Sequence, residues 1–178
     1  MNAHLVDERA EPPLRDVIGR LLGAATEACI AITHVRLAAV DLTAAETGRV
    51  QRCRILLGRL DARAFDGIDR PAPSLAPLLR FITSPHVEIR SVGLAAWSPD
   101  FSIYRGLDTA DGAARDACLV GAHWFREPPG GAAPAFTCLL TEPAPVRLAM
   151  RRFDELWQDG YDVRDTVLAA VERMAHGA

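Results

Sequence analysis

The feature that most limits the possible folds is a series of short apolar runs, rich in β-branched residues, interrupted by amphipathic helix patterns and turns. Six such runs occur, at residues 29–40, 50–58, 86–93, 101–106, 117–125 and 136–142. The first runs form β-α-β units, with a helical turn or loop after the first run and short helices before the third, and the later runs are hairpin-like. The pattern therefore predicts an α/β fold, with a mixed sheet flanked by helices on both faces.

The chain has 178 residues, 49% of them hydrophobic. A chain of this length forms one domain that buries about 70% of its unfolded surface. Residues 1–13 are polar and end in two prolines, so we expect a flexible N-terminal arm. An amphipathic helix pattern begins at Leu14, and no linker interrupts the rest of the chain. We therefore expect a single domain over residues 14–178.

The charge pattern bears on possible partners. The net charge is −3, acids and bases are interspersed, and there is no helix-turn-helix pattern, so we do not expect nucleic acid as a partner. No stretch approaches the roughly 18 to 20 apolar residues of a membrane span. The first residues carry acids and lack the apolar core of a secretory signal. We expect a cytoplasmic location and no membrane partner.

Four cysteines are widely spaced and lie inside apolar runs. They are Cys29, Cys53, Cys118 and Cys138. A free cysteine packs like a small hydrophobic residue, so buried thiols are favoured over a disulfide or metal role. The histidines show no metal-ligand spacing with cysteines or acids. We expect no metal site and no cofactor.

Arginine accounts for all 20 basic residues, and the chain contains no lysine. Schiff-base chemistry, a P-loop and a lysine general acid are therefore excluded.

Three segments resemble the phospholipase D-like (HKD) superfamily. They are "HVEIR" at residues 86–90, "LVGAHWF" at 119–125 and "FDELWQDGYDV" at 153–163. The order of elements is also similar, and the resemblance extends from about Leu14 to Val163. It implies a phospholipase D-like fold, in which a strand pair carries H-x-K-x4-D, a Gly-Ser-x-Asn-Phe segment follows, and a helix closes the domain.

The chain departs from the catalytic pattern of that superfamily. The strand "FSIYRGL" at residues 101–107 should carry the histidine nucleophile and the lysine, and it has neither. Gly121, Ala122, His123 and Trp124 stand where the family has Gly-Ser-x-Asn. In the family mechanism histidine attacks a phosphodiester while lysine and asparagine bind its oxygens, as the resemblance implies. We expect a degenerate member without this phosphodiesterase activity.

His123 and Asp100 are the candidate catalytic residues. His123 ends a predicted strand where the family keeps its active site, and would act as a general base or contact a ligand. The alternative is a packed histidine. Asp100 follows a Trp-Ser-Pro bend and would pair with His123 or with Arg105. The alternative is a turn residue whose carboxylate bonds to nearby backbone.

Arg90 and Arg105, with Trp97 and Trp124, are the candidate ligand-binding residues. Arginines at 36, 54, 90 and 105 fall on predicted strands, where each must be paired or reach an opening. Arg90 shares a strand side with Glu88, so an ion pair between them is one interpretation. The other is an arginine-lined pocket for a carboxylate or phosphate. The tryptophans would shape that pocket, or else pack in the core.

Two functions are consistent with these observations. The first is a non-catalytic phospholipase D-like binding or regulatory module that senses a small anionic ligand. Because family members pair two domains about a two-fold axis, the resemblance implies a homodimer. The alternative is an enzyme with a rebuilt site, a hydrolase or transferase acting on an anionic or phosphate-containing substrate. It would use His123 as acid/base and Asp100 to orient it.

Overall fold

The computed structural model describes residues 3–6, 14–34, 49–59, 76–92, 100–108, 115–121 and 137–176. Within these ranges the chain forms eight strands and four helices. In chain order they are β1 (Ala3–Val6), α1 (Leu14–Ala24), β2 (Glu27–His34), β3 (Arg52–Arg59), α2 (Ala76–Thr83), β4 (Val87–Ser91), β5 (Phe101–Leu107), β6 (Arg115–Val120), β7 (Thr137–Leu140), α3 (Pro143–Asp159), β8 (Tyr161–Asp162) and α4 (Arg164–His176).

All eight strands belong to one sheet, in the order β1-β7-β6-β5-β2-β3-β4-β8. The pairs β2–β3 and β3–β4 are parallel. Every other neighbouring pair is antiparallel. The predicted mixed sheet is confirmed, with parallel pairing among β2, β3 and β4 and antiparallel pairing elsewhere.

Helices cover both faces of the sheet, because strand residues of opposite parity belong to two separate hydrophobic clusters. The first cluster joins one face to α1, α2 and α4 through Leu22, Ile82, Val167 and Val171. The second joins the other face to α3 through Val146, Phe153, Leu156 and Trp157. The second face, with α3 upon it, is called the α3 face below. The predicted α/β layering is confirmed.

The N-terminal segment differs from the expected flexible arm. Ala3–Val6 forms the edge strand β1, which pairs antiparallel with β7. Four residues are too few to show a strand period, so the hydrogen-bonding partner, not the local pattern, determines this strand. The remainder of residues 1–13 lies outside the described ranges, and the single domain over residues 14–178 stays a prediction.

All four cysteines are free thiols. Cys29, Cys53 and Cys118 are buried, and Cys138 is partly exposed. Burial raises the pKa of Cys29 and of Cys118 to about 12, and raises that of Cys53 as well. These buried thiols are therefore packing groups and not nucleophiles at neutral pH.

No helix in the described ranges is both long enough and apolar enough to cross a membrane.

Candidate functional site

All eight described strands have one end at the same edge of the sheet, which we call the carboxyl edge. The parallel strands β2, β3 and β4 end there, and so do β1 and β6, whereas β5, β7 and β8 begin there. The parallel and antiparallel parts of the sheet meet at β2, between β3 and β5. In open α/β sheets, ligands bind outside the carboxyl ends of the strands, where the strand order changes direction.

Asp100 lies at this edge, just before β5, and is 3% exposed. Its Oδ1 accepts hydrogen bonds from the Thr33 backbone N–H at 2.8 Å and from the Thr33 hydroxyl at 2.6 Å. Its carbonyl accepts the Gly121 N–H at 2.7 Å. Asp100 and Thr33 each make at least one further interaction. Asp100 therefore joins the ends of β2 and β6 to the start of β5.

Other buried polar side chains tie neighbouring strand ends together at the same edge. The Ser91 hydroxyl donates to the Gly58 carbonyl at 2.8 Å. The Thr137 hydroxyl donates to the Gly121 carbonyl at 3.3 Å. Gly121 has a φ of +87°, in the left-handed region that glycine adopts without strain. These contacts fix the strand ends that surround Asp100.

Three predicted site residues, His123, Trp97 and Trp124, lie outside the described residues. Their segments of sequence are 93–99, which joins Val92 to Asp100, and 122–136, which joins Gly121 to Thr137. Val92, Asp100, Gly121 and Thr137 all lie at the carboxyl edge. The structure therefore places Asp100 at the edge from which both segments leave.

Arg105 does not pair with Asp100, because the two residues lie toward opposite ends of β5. Five residue steps along a strand separate their Cα atoms by about 16 Å. Arg105 Nη1 instead donates to Glu27 Oε2 at 2.8 Å, and its Nε lies 3.6 Å from Asp116 Oδ2. The predicted pairing is wrong because the counter-charges come from β2 and β6 at the far edge.

Arg90 does not form the predicted ion pair with Glu88. Its Nη1 donates to the Trp157 carbonyl at 2.9 Å, and its guanidinium lies 4.9 Å from a ring centroid of Trp157. Glu88 pairs instead with Arg52 at 3.0 Å. Arg90 therefore satisfies a carbonyl at the C-terminus of α3 and stacks on that helix.

A cluster of ion pairs surrounds the buried Arg54 on the α3 face, and the sequence indicated the arginine but not its partners. Arg54 is 8% exposed, its Nη1 donates to Asp154 at 2.9 Å and its Nη2 to Glu27 at 3.2 Å. The guanidinium also lies 5.1 Å from the Phe153 ring centroid. Burial opposes the charge of Arg54, but the neighbouring Cys29 sulfur and the carboxylates of Asp154 and Glu27 outweigh it and raise the pKa of Arg54 above its ordinary value.

The sequence signal for this cluster was the arginine within an apolar strand. Its partners are 27 and 100 residues away in the chain, so sequence reasoning missed Glu27 and Asp154.

The α3 face of β5 is apolar where the superfamily resemblance places the catalytic side chains. Phe101 is 8% exposed and Ile103 is fully buried. Phe101 and Phe153 make an edge-to-face contact with ring centroids 6.4 Å apart. Because α3 packs directly on these side chains, the face of β5 here is part of the core and not the floor of a pocket.

No metal-binding group of three or more His, Cys, Asp or Glu side chains occurs within the part of the chain that the structure describes.

No protein-family model matches the chain, and no curated protein matches it. Solved structures do. Nuc from Salmonella typhimurium, a phospholipase D family member, is 13% identical, with a TM-score of 0.54 over 90% of this chain and 97% of that one. NucT from Helicobacter pylori is 9% identical, with a TM-score of 0.51 over 90% and 98%.

TrmBL2 is similar as well, with 14% identity and a TM-score of 0.55 over 92% of this chain. It is described as an archaeal chromatin protein with a novel mode of DNA binding, and this chain spans about half of its length, 54%. The expectation that excluded nucleic acid is therefore wrong. A protein that contains a similar fold is described as binding DNA, so negative net charge and a missing helix-turn-helix do not decide the question. The sheet, the helix layers and the similarities to Nuc and NucT show that the chain has the phospholipase D-like fold.

Proposed function

We propose that this chain is a non-catalytic binding or regulatory module of the cytoplasm, which senses a small anionic ligand at the carboxyl edge and acts as a homodimer. The observation that carries the proposal is the apolar packing of α3 over the start of β5. Phe101 and Ile103 stand on the strand where the resemblance requires a nucleophile and a lysine, and both pack into the α3 cluster.

The packing over β5 leaves that face without the groups that phosphodiester chemistry needs. A nucleophile and cationic donors must reach the phosphorus and its oxygens within hydrogen-bonding distance. Phenylalanine and isoleucine offer neither, and the chain has no lysine. Arg54 of β3 and Arg105 of β5 already pair with Glu27, Asp154 and Asp116.

The carboxyl edge is the better place for a ligand. Asp100 is held there by donors from two strands, and Trp97, His123 and Trp124 belong to segments that leave this edge. In the sequence, arginines occur in these and the neighbouring connections. They are Arg36, Arg63, Arg70 and Arg126. Arginine is the side chain best suited to binding a carboxylate or phosphate, which supports an anionic ligand.

Nucleic acid is a second candidate ligand. The supporting observation is the similarity to TrmBL2 over 92% of this chain. Phosphate groups are common to both candidates, so a binding experiment must compare a free phosphate with a DNA duplex.

Binding is tested by the thermal midpoint of unfolding in increasing inorganic phosphate, and by titration with a short DNA duplex at low salt. We expect phosphate to raise the midpoint of the wild type. Arg126→Gln should weaken this shift, because it removes a guanidinium that would bind the anion, whereas the matched variant Arg80→Gln, at an exposed arginine of α2, should keep it. If phosphate raised the midpoint equally in both variants, the carboxyl edge would not be the ligand site. Tight binding of the duplex without any phosphate shift would show that the ligand is nucleic acid.

Catalysis is tested with bis(p-nitrophenyl) phosphate. Wild type, His123→Ala and the control His86→Ala, an exposed histidine before β4, should all remain at the buffer rate. Turnover by wild type and His86→Ala that is lost in His123→Ala would overturn the non-catalytic proposal. It would favour an enzyme in which His123 is the acid/base, with Asp100 orienting it.

A further inference from the structure

The exposed side of α3 carries a regular stripe of charge. Arg147, Arg151, Glu155 and Asp159 are all exposed and follow one another at intervals of four residues. Residues four apart on a helix are neighbours on one face, so these four form a single line. The line lies opposite the buried side of the helix, which carries Phe153 and Trp157. We call these four residues the charged stripe.

The order of charges on the stripe does not help the helix itself. The macrodipole favours acids in the first turn and bases in the last, and α3 has neither. Its basic residues instead precede its acidic ones. Arg152, beside the stripe, pairs with Glu155 at 3.1 Å, and no described residue pairs with Arg147 or Arg151. The charge order of the stripe therefore gains nothing from the macrodipole of α3.

A polyanion is a poor match for the stripe. Arg147 and Arg151 would attract phosphates, but Glu155 and Asp159 continue the same line and would repel them. A complementary surface must present acids to the first half of the stripe and bases to the second. A second copy of α3, laid antiparallel, presents that order.

Consider two α3 helices packed antiparallel, with the two-fold axis passing near residue 153. A residue that precedes position 153 on one helix then faces the residue that follows it by the same number of positions on the other helix. Arg147 then faces Asp159 of the partner subunit, and Arg151 faces Glu155 of the partner subunit. The two-fold axis repeats each contact, so the interface contains two Arg147–Asp159 pairs and two Arg151–Glu155 pairs.

The exposed apolar side chains fit the same arrangement. Leu148 is 60% exposed and Tyr161 is 58% exposed, so both of these large hydrophobic side chains face solvent. They stand near opposite ends of α3, so antiparallel packing brings Leu148 to the end of the helix where the partner's Tyr161 lies. The interface then has an apolar contact at each end as well as ion pairs along its length.

We propose that a second copy of this chain docks antiparallel on the charged stripe of α3. The inference rests on the proposed homodimer and assigns its surface. A helix of 17 residues is about 25 Å long, so one helix pair makes a small interface with a large charged fraction. Small polar interfaces are transient, and exposed ion pairs weaken with salt. The dimer should therefore form at high protein concentration and dissociate as salt is added.

A charge swap tests the surface. The variant Arg147→Glu/Arg151→Glu and the variant Glu155→Arg/Asp159→Arg each place like charges across the two-fold axis. By sedimentation at rising concentration and low salt, each alone should dimerise at least about tenfold more weakly than wild type. An equimolar mixture of the two should regain wild-type association, because opposite charges then face each other.

The control is Arg20→Glu/Arg80→Glu, which reverses two exposed arginines on α1 and α2, away from the α3 face. It should associate like wild type. If the swapped variants also associate like wild type, the stripe is not the interface, although a homodimer through another surface would stand. If wild type is a monomer at every concentration, both the docking and the homodimer fail, whereas phosphate binding at the carboxyl edge is tested separately. If the mixture does not regain association, the antiparallel pairing is wrong.

Discussion

Arg54 of β3 donates to Asp154 of α3 at 2.9 Å, so a charge buried in the sheet is paired with the helix that covers it. The same guanidinium reaches Glu27 on β2, which also accepts from Arg105 on β5. One carboxylate therefore serves two arginines from neighbouring strands. This arrangement holds α3 against the sheet by charge as well as by apolar packing.

We expect Glu27→Gln to lower the free energy of unfolding by about 2 kcal/mol, because it removes one of the two acids that pair with the largely buried Arg54 and also takes a partner from Arg105. The measurement is urea unfolding at pH 7. Glu88→Gln breaks the exposed pair with Arg52 and should change the free energy by less than about 1 kcal/mol. Equal losses in the two variants would mean that the buried cluster is no stronger than a surface pair. Arg54→Met/Glu27→Gln should recover part of the loss, since the buried charge of Arg54 is then absent.

Asp100→Ala should destabilise the fold by about 2 kcal/mol, because it leaves the buried Thr33 N–H and hydroxyl without their common acceptor. Thr33→Val removes only the hydroxyl bond and keeps the backbone bond, so its loss should be about 1 kcal/mol. Urea unfolding of the two variants measures the difference. A smaller effect for Asp100→Ala than for Thr33→Val would show that Asp100 does not hold the strand ends together.

The sequence predicted the fold better than it predicted contacts. Strands such as β2 and β5 could be recognised because their burial produces apolar runs, which are local signals. The pairing of Asp100 with Thr33 joins residues 67 apart, and that of Arg54 with Asp154 joins residues 100 apart. No local sequence pattern indicates a partner so far away in the chain. The short edge strands β1 and β8 were missed for a related reason, since each has too few residues to show a period.

Arg90→Ala should lower stability by about 1 to 2 kcal/mol without changing phosphate binding. The arginine donates to the Trp157 carbonyl and stacks on its ring, and both contacts stabilise the end of α3. The thermal midpoint without ligand should fall, and the shift caused by phosphate should stay the same. If a folded Arg90→Ala protein lost the phosphate shift, Arg90 would be a ligand-binding residue after all.

The buried thiols predict how stability depends on alkaline pH. The ordinary pKa of 9.0 applies in the unfolded chain, and burial raises the pKa of Cys29 and Cys118 to about 12 in the folded chain. Above pH 9 the unfolded state therefore loses protons that the folded state retains. The stabilisation is complete below pH 9 and is lost as the pH rises toward 12. Urea unfolding from about pH 8 to 10.5 should show this decline, and Cys118→Ala should make it shallower. If Cys118→Ala left the slope of the free energy of unfolding against pH unchanged, the Cys118 thiol would not contribute to the decline.

The charged stripe gives a prediction that separates helix stability from docking. The fourfold variant Arg147→Glu/Arg151→Glu/Glu155→Arg/Asp159→Arg keeps a self-complementary order, because every facing pair is reversed together. It should therefore dimerise about as well as wild type. Bases then replace acids toward the C-terminal end of α3, so the monomer should gain about 0.5 to 1 kcal/mol from the macrodipole at low salt. Sedimentation measures the first effect, and urea unfolding at dilute concentration measures the second. A more stable monomer that no longer dimerises would show that the identity of the stripe residues, and not their charge order, determines the contact.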